Sequence, residues 1–388
     1  MSTTRNGIPW VRYLVFALSV PVYFACTIYL VEHVFGVGLE RDLLRTELIA
    51  LPLAFLTLFT IIFASAVVHE CGHAIAGLCA GVVVLSVRVW PFEVVRRHRG
   101  VRIESARRRK PPKCAIGVPA PGRDVHRQMF WFSLGGPLAN LLVLALAGGV
   151  DLLLVVSGLP EYPLLRVIVG VNAYMGVANL LPIGRASPSD GTRVYRALRR
   201  SMAEDDIECF RYAHSQLTQG EPTSPAPATL LRWESSTQPL LRGLALSIAF
   251  DRAVAEGSSN DVNAAYERLV MGLRELGKLP YASCAAFLAR ATFEVVFGYC
   301  LQGGDPTEAE KRLSSLGWMR RLAPHAQDLR VQAALARRRG DNALAQRLHQ
   351  QALDEAAGEF SACGRQREIA RLDQLGARLF ADAAVCAA

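Results

Sequence analysis

The sequence predicts a mainly α-helical membrane protein with about four transmembrane helices and a membrane-associated β-hairpin, followed by a soluble, tetratricopeptide-like helical domain. Mean hydropathy is +0.22, and 51% of the 388 residues are hydrophobic. The longest apolar blocks lie before residue 190, and one β-branched run interrupts them. Beyond residue 240 the apolar residues recur at helical spacing in a chain of ordinary polarity. These three observations predict a membrane part and a soluble part.

The pattern divides the chain into four regions. They are an N-terminal anchor helix with an outer loop, a membrane core, a linker and a cytoplasmic helical domain, at 1–46, 47–200, 201–239 and 240–388. The first predicted span, Tyr13–Val31, is uncharged and follows two arginines. It suits either an anchor or a signal peptide, and its long apolar run favours the anchor.

Three further spans are predicted in the membrane core. The first is a long helix from about Leu48 to Cys79, which Gly81 ends. The other two cover Met129–Val150 and Val167–Ile183. Each is uncharged or nearly so over a length that can cross a bilayer.

A β-hairpin is predicted between the second and third spans. The run Val82–Val89 is rich in β-branched residues, and Glu93–Ile103 is a second strand candidate. The first strand could hold an extended peptide by pairing along its edge, or the hairpin could simply plug the core.

Basic residues predict the orientation. The loop from Arg88 to Arg127 holds 12 Lys or Arg residues, and the positive-inside rule places it in the cytoplasm. With four spans, both termini are then cytoplasmic. The same rule accounts for the net charge of +9, so we expect no nucleic-acid partner. The nine cysteines have no CxxC pair, which is typical of reduced cytosolic thiols rather than of a disulfide scaffold.

The sequence His69-Glu70-Cys71-Gly72-His73 lies in the long second helix. Histidines four residues apart share one helix face and can bind one metal ion. Zinc lowers the pKa of water, and Glu70 could take the proton and pass it to a leaving amine. A match this short can arise by chance, but a carboxylate at mid-membrane costs about 2.5–3.5 kcal/mol and marks a functional site by default. The residues therefore predict metal-assisted peptide hydrolysis.

A third protein ligand is needed, and Asp190 is the candidate. It follows the fourth predicted span in the segment Asn179-Leu-Leu-Pro182-Ile-Gly-Arg-Ala-Ser-Pro-Ser-Asp190-Gly191. An irregular loop at membrane depth is tolerated where it lines a wet cavity. The same residues also fit an ordinary cap for a helix beginning at Thr192. The histidine pair favours the ligand.

Three segments in this order resemble the site-2 protease family of intramembrane zinc metalloproteases. The segments are HExxH, Gly136-Pro137-Leu-Ala-Asn140, and Asn179-x-x-Pro182 followed by Asp190-Gly191. The resemblance covers residues 48–200, and the interval from Pro182 to Asp190 is longer than in the family's common form. It implies that His69, His73 and Asp190 bind Zn²⁺ and that Glu70 is the general base.

Two asparagines of these segments are further candidates. Asn140 and Asn179 could contact the substrate or an oxyanion, or they could only tie helices together as polar groups do in membranes. For Gly135 and Gly136 we expect close helix packing rather than chemistry.

The resemblance implies regulated intramembrane proteolysis in a bacterial inner membrane. The resemblance implies that the substrate is a single-pass membrane protein, such as an anti-sigma factor, cut in or near its transmembrane segment within the lipid bilayer. The alternative is a non-catalytic membrane scaffold with a structural or vestigial metal site. In either case we expect the C-terminal domain to bind a protein partner. The segment Ala334–Leu353 resembles one tetratricopeptide-like helical hairpin, and an irregular bundle is the alternative.

Overall fold

The computed structural model describes residues 21–34, 47–105, 113–160, 162–182, 189–219, 225–256, 259–275, 282–359 and 361–386. The chain divides into two compact units, one made of 1–96 with 102–203 and the other of 204–388 with 97–101. The described residues are mainly helical and include one small antiparallel sheet, as the sequence predicts.

Three described helices are long and apolar enough to cross a membrane. They are α1 (Glu47–Ala80), of which 50–80 qualify, α2 (Val125–Val156) and α3 (Pro163–Leu180). They correspond to the second, third and fourth predicted spans. The first eight residues of the first predicted span, Tyr13–Val31, lie outside the described residues, whereas 21–29 are helical and a π-helical turn follows at Leu30–Val34.

The ends of these helices follow from local chemistry. Gly81 has φ of +90°, a left-handed conformation that favours glycine, and its N–H donates to the Leu78 carbonyl at 3.1 Å. The helix therefore ends at Ala80, and the β-branched run begins directly after Gly81. Asp124 caps α2, because its side chain accepts hydrogen bonds from the backbone N–H groups of His126 and Arg127.

The sheet has four strands, β1 (Val82–Val89), β2 (Phe92–Arg97), β3 (Gly100–Ser105) and β4 (Lys113–Pro119), in the order β3-β2-β1-β4. The predicted hairpin is incomplete: the run Glu93–Ile103 falls into two strands, and a fourth strand pairs with β1. In the antiparallel register, Arg88 stands opposite Glu93 on one side and Cys114 on the other. β4 pairs with β1 from Val82 to Val89 on one edge, and β2 pairs with Ser86 to Val89 on the other, so little of the β1 edge is left for a further strand.

The spans α1 and α2 pack through facing glycines. A Cβ added to Gly72 would overlap the Gly135 carbonyl and lie 3.0 Å from its carbon, and a Cβ on Gly135 would overlap Gly72 in return. Small residues at such a crossing let helix backbones approach closely in a membrane. The prediction of close packing for Gly135 agrees with this contact.

The second unit consists of helices only among its described residues from 204 onward. They are α5 (Glu204–Thr218), α6 (Pro227–Glu234), α7 (Pro239–Glu256), α8 (Ser259–Glu275), α9 (Ala282–Leu301), α10 (Pro306–Ser315), a 3₁₀ turn (Gly317–Leu322), α11 (His325–Arg338), α12 (Asn342–Ala357) and α13 (Ala362–Cys386). The predicted linker 201–239 contains α5 and α6, and Trp233 of α6 is fully buried in an apolar cluster. Its Pro- and Ser-rich part only separates the two helices, and 220–224 lie outside the described residues.

The predicted hairpin in this unit is formed by α11 and α12. Gly340, with φ of +82°, lies between the two helices, and Asp341 caps α12 by accepting from the Leu344 N–H at 3.0 Å. A connection this short makes the two helices antiparallel neighbours. They bury alanines against one another, including Ala334, Ala345 and Ala352.

One arginine of α11 is buried between two carboxylates. The Arg330 guanidinium is 2.6 Å from Glu294 and 2.8 Å from Glu368, and it lies over the Phe297 ring at 4.1 Å. The side chain is fully buried. Since a buried charge is costly without partners, this group depends on both glutamates.

Candidate metal centre

Three side chains from two distant parts of the first unit converge on one point. His69 Nε2 lies 3.2 Å from Asp190 Oδ2, His73 Nε2 lies 3.3 Å from the same oxygen, and the two nitrogens are 3.2 Å apart. Each of these three residues offers one ligand atom to a common centre. The histidines are almost completely buried.

The spacing of the three atoms fits zinc. Bonds of about 2.0–2.1 Å in tetrahedral geometry place neighbouring ligand atoms about 3.3–3.4 Å apart. The three observed distances of 3.2, 3.2 and 3.3 Å agree within the tolerance of about 0.2 Å expected of a metal site. Two imidazoles and one carboxylate form a donor set found in catalytic zinc sites, which keep a further position open.

The backbone of α2 orients His73. Its Nδ1 is 2.6 Å from the Phe132 carbonyl oxygen, so Nδ1 carries a proton and donates it. The Gly136 N–H also lies near this nitrogen, at 3.3 Å, but the shorter contact decides the tautomer. The Nε2 lone pair is therefore free to face His69 and Asp190. A second contact of this kind fixes ring orientation in metal sites.

Gly136 is required where α2 passes the ligand atoms. A Cβ on this residue would lie 2.8 Å from His69 Nε2 and 2.7 Å from His73 Cε1, and it would overlap His73 Nε2. Any larger residue would push the two imidazoles apart. Gly136 is thus a packing position, as the sequence suggests, but one that shapes the site itself.

Asp190 is positioned by contacts at both ends of a loop. Ser189, rather than Asp190, caps α4 (Asp190–Leu198), and its hydroxyl donates to the Leu181 carbonyl at 2.6 Å. A Cβ on Gly191 would overlap the Leu180 carbonyl and lie 2.9 Å from Leu180 Cα. The ends of the lengthened loop therefore meet, and its residues 183–188 lie outside the described residues. Asp190 is the first residue of α4, which leaves its carboxylate free to reach the histidines.

The electrostatics of Asp190 suit a ligand. Burial alone would raise the pKa of its carboxyl group, but when no metal ion takes their Nε2 lone pairs, protonated His69 and His73 donate hydrogen bonds to it and lower the pKa well below its usual range. The group is therefore an ionised carboxylate. Its side chain is 14% exposed, against 2% for His69 and 7% for His73, so the centre is least buried on the Asp190 side.

The other predicted site residues lie in different settings. Glu70 is buried, with 4% of its surface exposed, and is not one of the three converging ligands. Asn140 is fully buried one helical turn beyond Gly136, on the same face of α2, and neither amide atom has a hydrogen-bond partner among the described residues. Asn179 instead donates to the Met175 carbonyl within its own helix at 2.8 Å.

The sequence did not predict the contact of the Phe132 carbonyl with His73, because a backbone group can be supplied by any residue type. It also did not single out Ser133, the next residue of α2, whose hydroxyl is fully buried and has no partner among the described residues. The signal for Ser133 was present, since a polar residue in an otherwise apolar membrane helix is unusual.

No protein-family model, no curated protein and no solved structure matches this chain. The assignment of function therefore depends on the geometry of the centre and on its place in three apolar helices.

Proposed function

We propose that this protein is an intramembrane zinc endopeptidase of the site-2 protease type. The observation that carries the proposal is the convergence of His69, His73 and Asp190 at zinc-ligand distances. Two of these residues lie in a helix apolar enough to span a membrane, and the third lies just after another such helix. An ionisable cluster at that depth is costly and indicates function rather than stability.

The chain's own residues supply the remaining parts of a hydrolase. When bound, zinc would act as a Lewis acid that makes water nucleophilic near neutral pH. Glu70 would accept a proton from the attacking water and deliver it to the leaving amine. The unpartnered amide of Asn140 would donate to a carbonyl oxygen of the substrate, which explains a fully buried polar group in an apolar helix.

The substrate is a peptide in extended form. The described sheet has two outer strands, β3 and β4, and β4 packs beside α1 and α2. A substrate segment can add to a free edge through backbone hydrogen bonds. We therefore propose that the substrate pairs with the outer edge of β4, because β4 covers one edge of β1 and β2 pairs with Ser86 to Val89 on the other. It fits a single-pass membrane protein, such as an anti-sigma factor, whose helix unwinds before cleavage.

The wider architecture is part of the same proposal. A fourth span at Tyr13–Val31 would place both termini in the cytoplasm of a bacterium, with the protein in the inner membrane. The helical hairpin of α11 and α12 supports a tetratricopeptide-like C-terminal domain that binds a protein partner. That domain would admit substrates or couple cleavage to a signal.

Zinc content and cleavage test the proposal together. The full-length protein is purified in detergent, and its zinc is measured by mass spectrometry of the metal. The membrane proteome of cells carrying the wild type is then compared with that of cells carrying Glu70→Gln. Glu204→Gln, an exposed residue at the start of α5, is the matched control.

We expect about one zinc per chain in all three proteins, and an uncut membrane protein that accumulates only with Glu70→Gln. Bound zinc without any Glu70-dependent substrate would favour the non-catalytic scaffold. Absence of zinc from the wild type, purified without chelator, would contradict the metal site itself.

A further inference from the structure

A cleft of about 570 Å³ opens where α1 ends and α2 begins, apart from the metal centre. Its inner wall is apolar and comes from Ala76, Ala80 and Trp131, with Cys79 beside them. Arg123 and Arg127 form its rim, and both are exposed. The cleft thus combines an apolar wall with two positive charges.

The two arginines have no acidic partner among the described residues. Asp124 also lines the cleft, but Arg200 contacts its carboxylate at 2.7 Å, and the same carboxylate caps α2. The Arg200 charge and the capping N–H groups hold the pKa of Asp124 below its ordinary value although desolvation opposes this, so the charge of Asp124 is already balanced. Two guanidinium groups are left to attract an anion.

The cleft lies where two candidate membrane spans meet at their ends. It is bounded by the last residues of one candidate span and the first turns of the next. Trp131 is 41% exposed, which is typical of an aromatic residue at the level of the lipid headgroups. Leu78, on the neighbouring turn of α1, is 56% exposed and extends the apolar surface toward the lipid.

We infer that this cleft binds the phosphate headgroup of an anionic phospholipid. Arg123 and Arg127 contact the phosphate, and Trp131 and the alanines of α1 receive the beginning of the acyl chains. A basic pocket between transmembrane helices is a recognised setting for anionic headgroups. A free phosphate ion would use the same arginines but would leave the apolar wall without a role. The inference does not depend on the proposed protease activity.

Native mass spectrometry of the full-length protein in non-ionic detergent tests the inference. The probes are phosphatidylglycerol, phosphatidylcholine and inorganic phosphate. The test variant is Arg123→Gln with Arg127→Gln. The charge-matched control is Arg193→Gln with Arg199→Gln, an exposed arginine of α4 and the exposed arginine that directly follows this helix, both outside the cleft.

We expect the wild type and the control to retain phosphatidylglycerol in preference to phosphatidylcholine. The test variant should lose about 30-fold in apparent affinity, or about fivefold for each single substitution. If the double glutamine variant does not fold, the two single glutamine variants replace it in the same measurement. Arg123→Lys with Arg127→Lys is a further variant that keeps the charge and should keep most of the binding.

Three results would overturn the inference. One is equal retention of phosphatidylglycerol by the test variant and the control. Another is equal retention of the zwitterionic lipid by the wild type, since the arginines would then select nothing. The third is displacement of the lipid by inorganic phosphate at comparable concentration, which would identify a site for the free ion.

Discussion

Gly136 of α2 lies directly against both proposed histidine ligands, and its replacement by alanine should have a measurable consequence. The added Cβ would lie 2.8 Å from His69 Nε2, whereas ordinary contacts begin near 3.4 Å. That nitrogen must therefore retreat by about 0.6 Å, and the His73 ring, which is closer still, must move further. Metal sites tolerate deviations of about 0.2 Å.

We expect Gly136→Ala to weaken zinc binding by at least 10- to 100-fold, the range seen when the support of a metal ligand is lost. The assay is zinc retention by the purified protein in the presence of a chelator of known affinity. Gly149→Ala is the matched control, because it lies in the same helix and its added Cβ meets nothing within 4 Å. This control should bind zinc like the wild type.

Two results would refute the reasoning. If Gly136→Ala keeps the wild-type zinc affinity with unchanged helix content, the three converging side chains are not the metal site. If Gly149→Ala loses zinc as well, the effect belongs to alanine in this helix and not to the contact with the imidazoles.

Three more predictions concern other parts of the chain. Gly191→Ala should also lower zinc affinity, because its Cβ would overlap the Leu180 carbonyl and displace α4; unchanged zinc retention in the chelator assay would contradict this. Arg330→Leu should destabilise the C-terminal domain by about 3–5 kcal/mol, since it removes the buried cation between two buried carboxylates and leaves only the longer contact of Arg371 with Glu294 at 3.6 Å, and urea unfolding with a loss below about 1 kcal/mol would count against it. Hydrogen bonds from Arg232 and Trp233 outweigh desolvation and lower the pKa of Asp205, so its stabilisation is present at neutral pH and is lost as the pH falls below about 4. Asp205→Asn should cost less than about 1 kcal/mol at pH 7 and less again near pH 3, and an equal cost at both pH values would disprove the assignment.

The spans were predictable because their signal is local. An uncharged run long enough for a bilayer fixes a helix within a few residues, and Gly81 marks the end of α1 at the residue where φ becomes positive. The sheet was only half predictable. Its strand β4 contains Gly117 and Pro119, which weaken the strand pattern, and only pairing with β1 stabilises it there.

The candidate site was likewise predictable only in part. The spacing of His69 and His73 places both on one helix face whatever the rest of the chain does. The location of Asp190 depends on contacts between Leu180, Leu181, Ser189 and Gly191, which spacing alone does not reveal. For the same reason composition suggested a linker at 201–239, where the burial of Trp233 in a tertiary contact stabilises helix α6.

The backbone contacts of α2 with the His73 ring restrict the register between α1 and α2. The Phe132 carbonyl and the Gly136 N–H are one helical turn apart, and both approach the same ring nitrogen. A slide of α2 along α1 by about 1.5 Å, the rise of one residue, would displace both backbone groups from the ring nitrogen that they approach. The register between the two helices is therefore coupled to the orientation of one imidazole. A shift of this register would turn the His73 ring without changing any of the three converging residues.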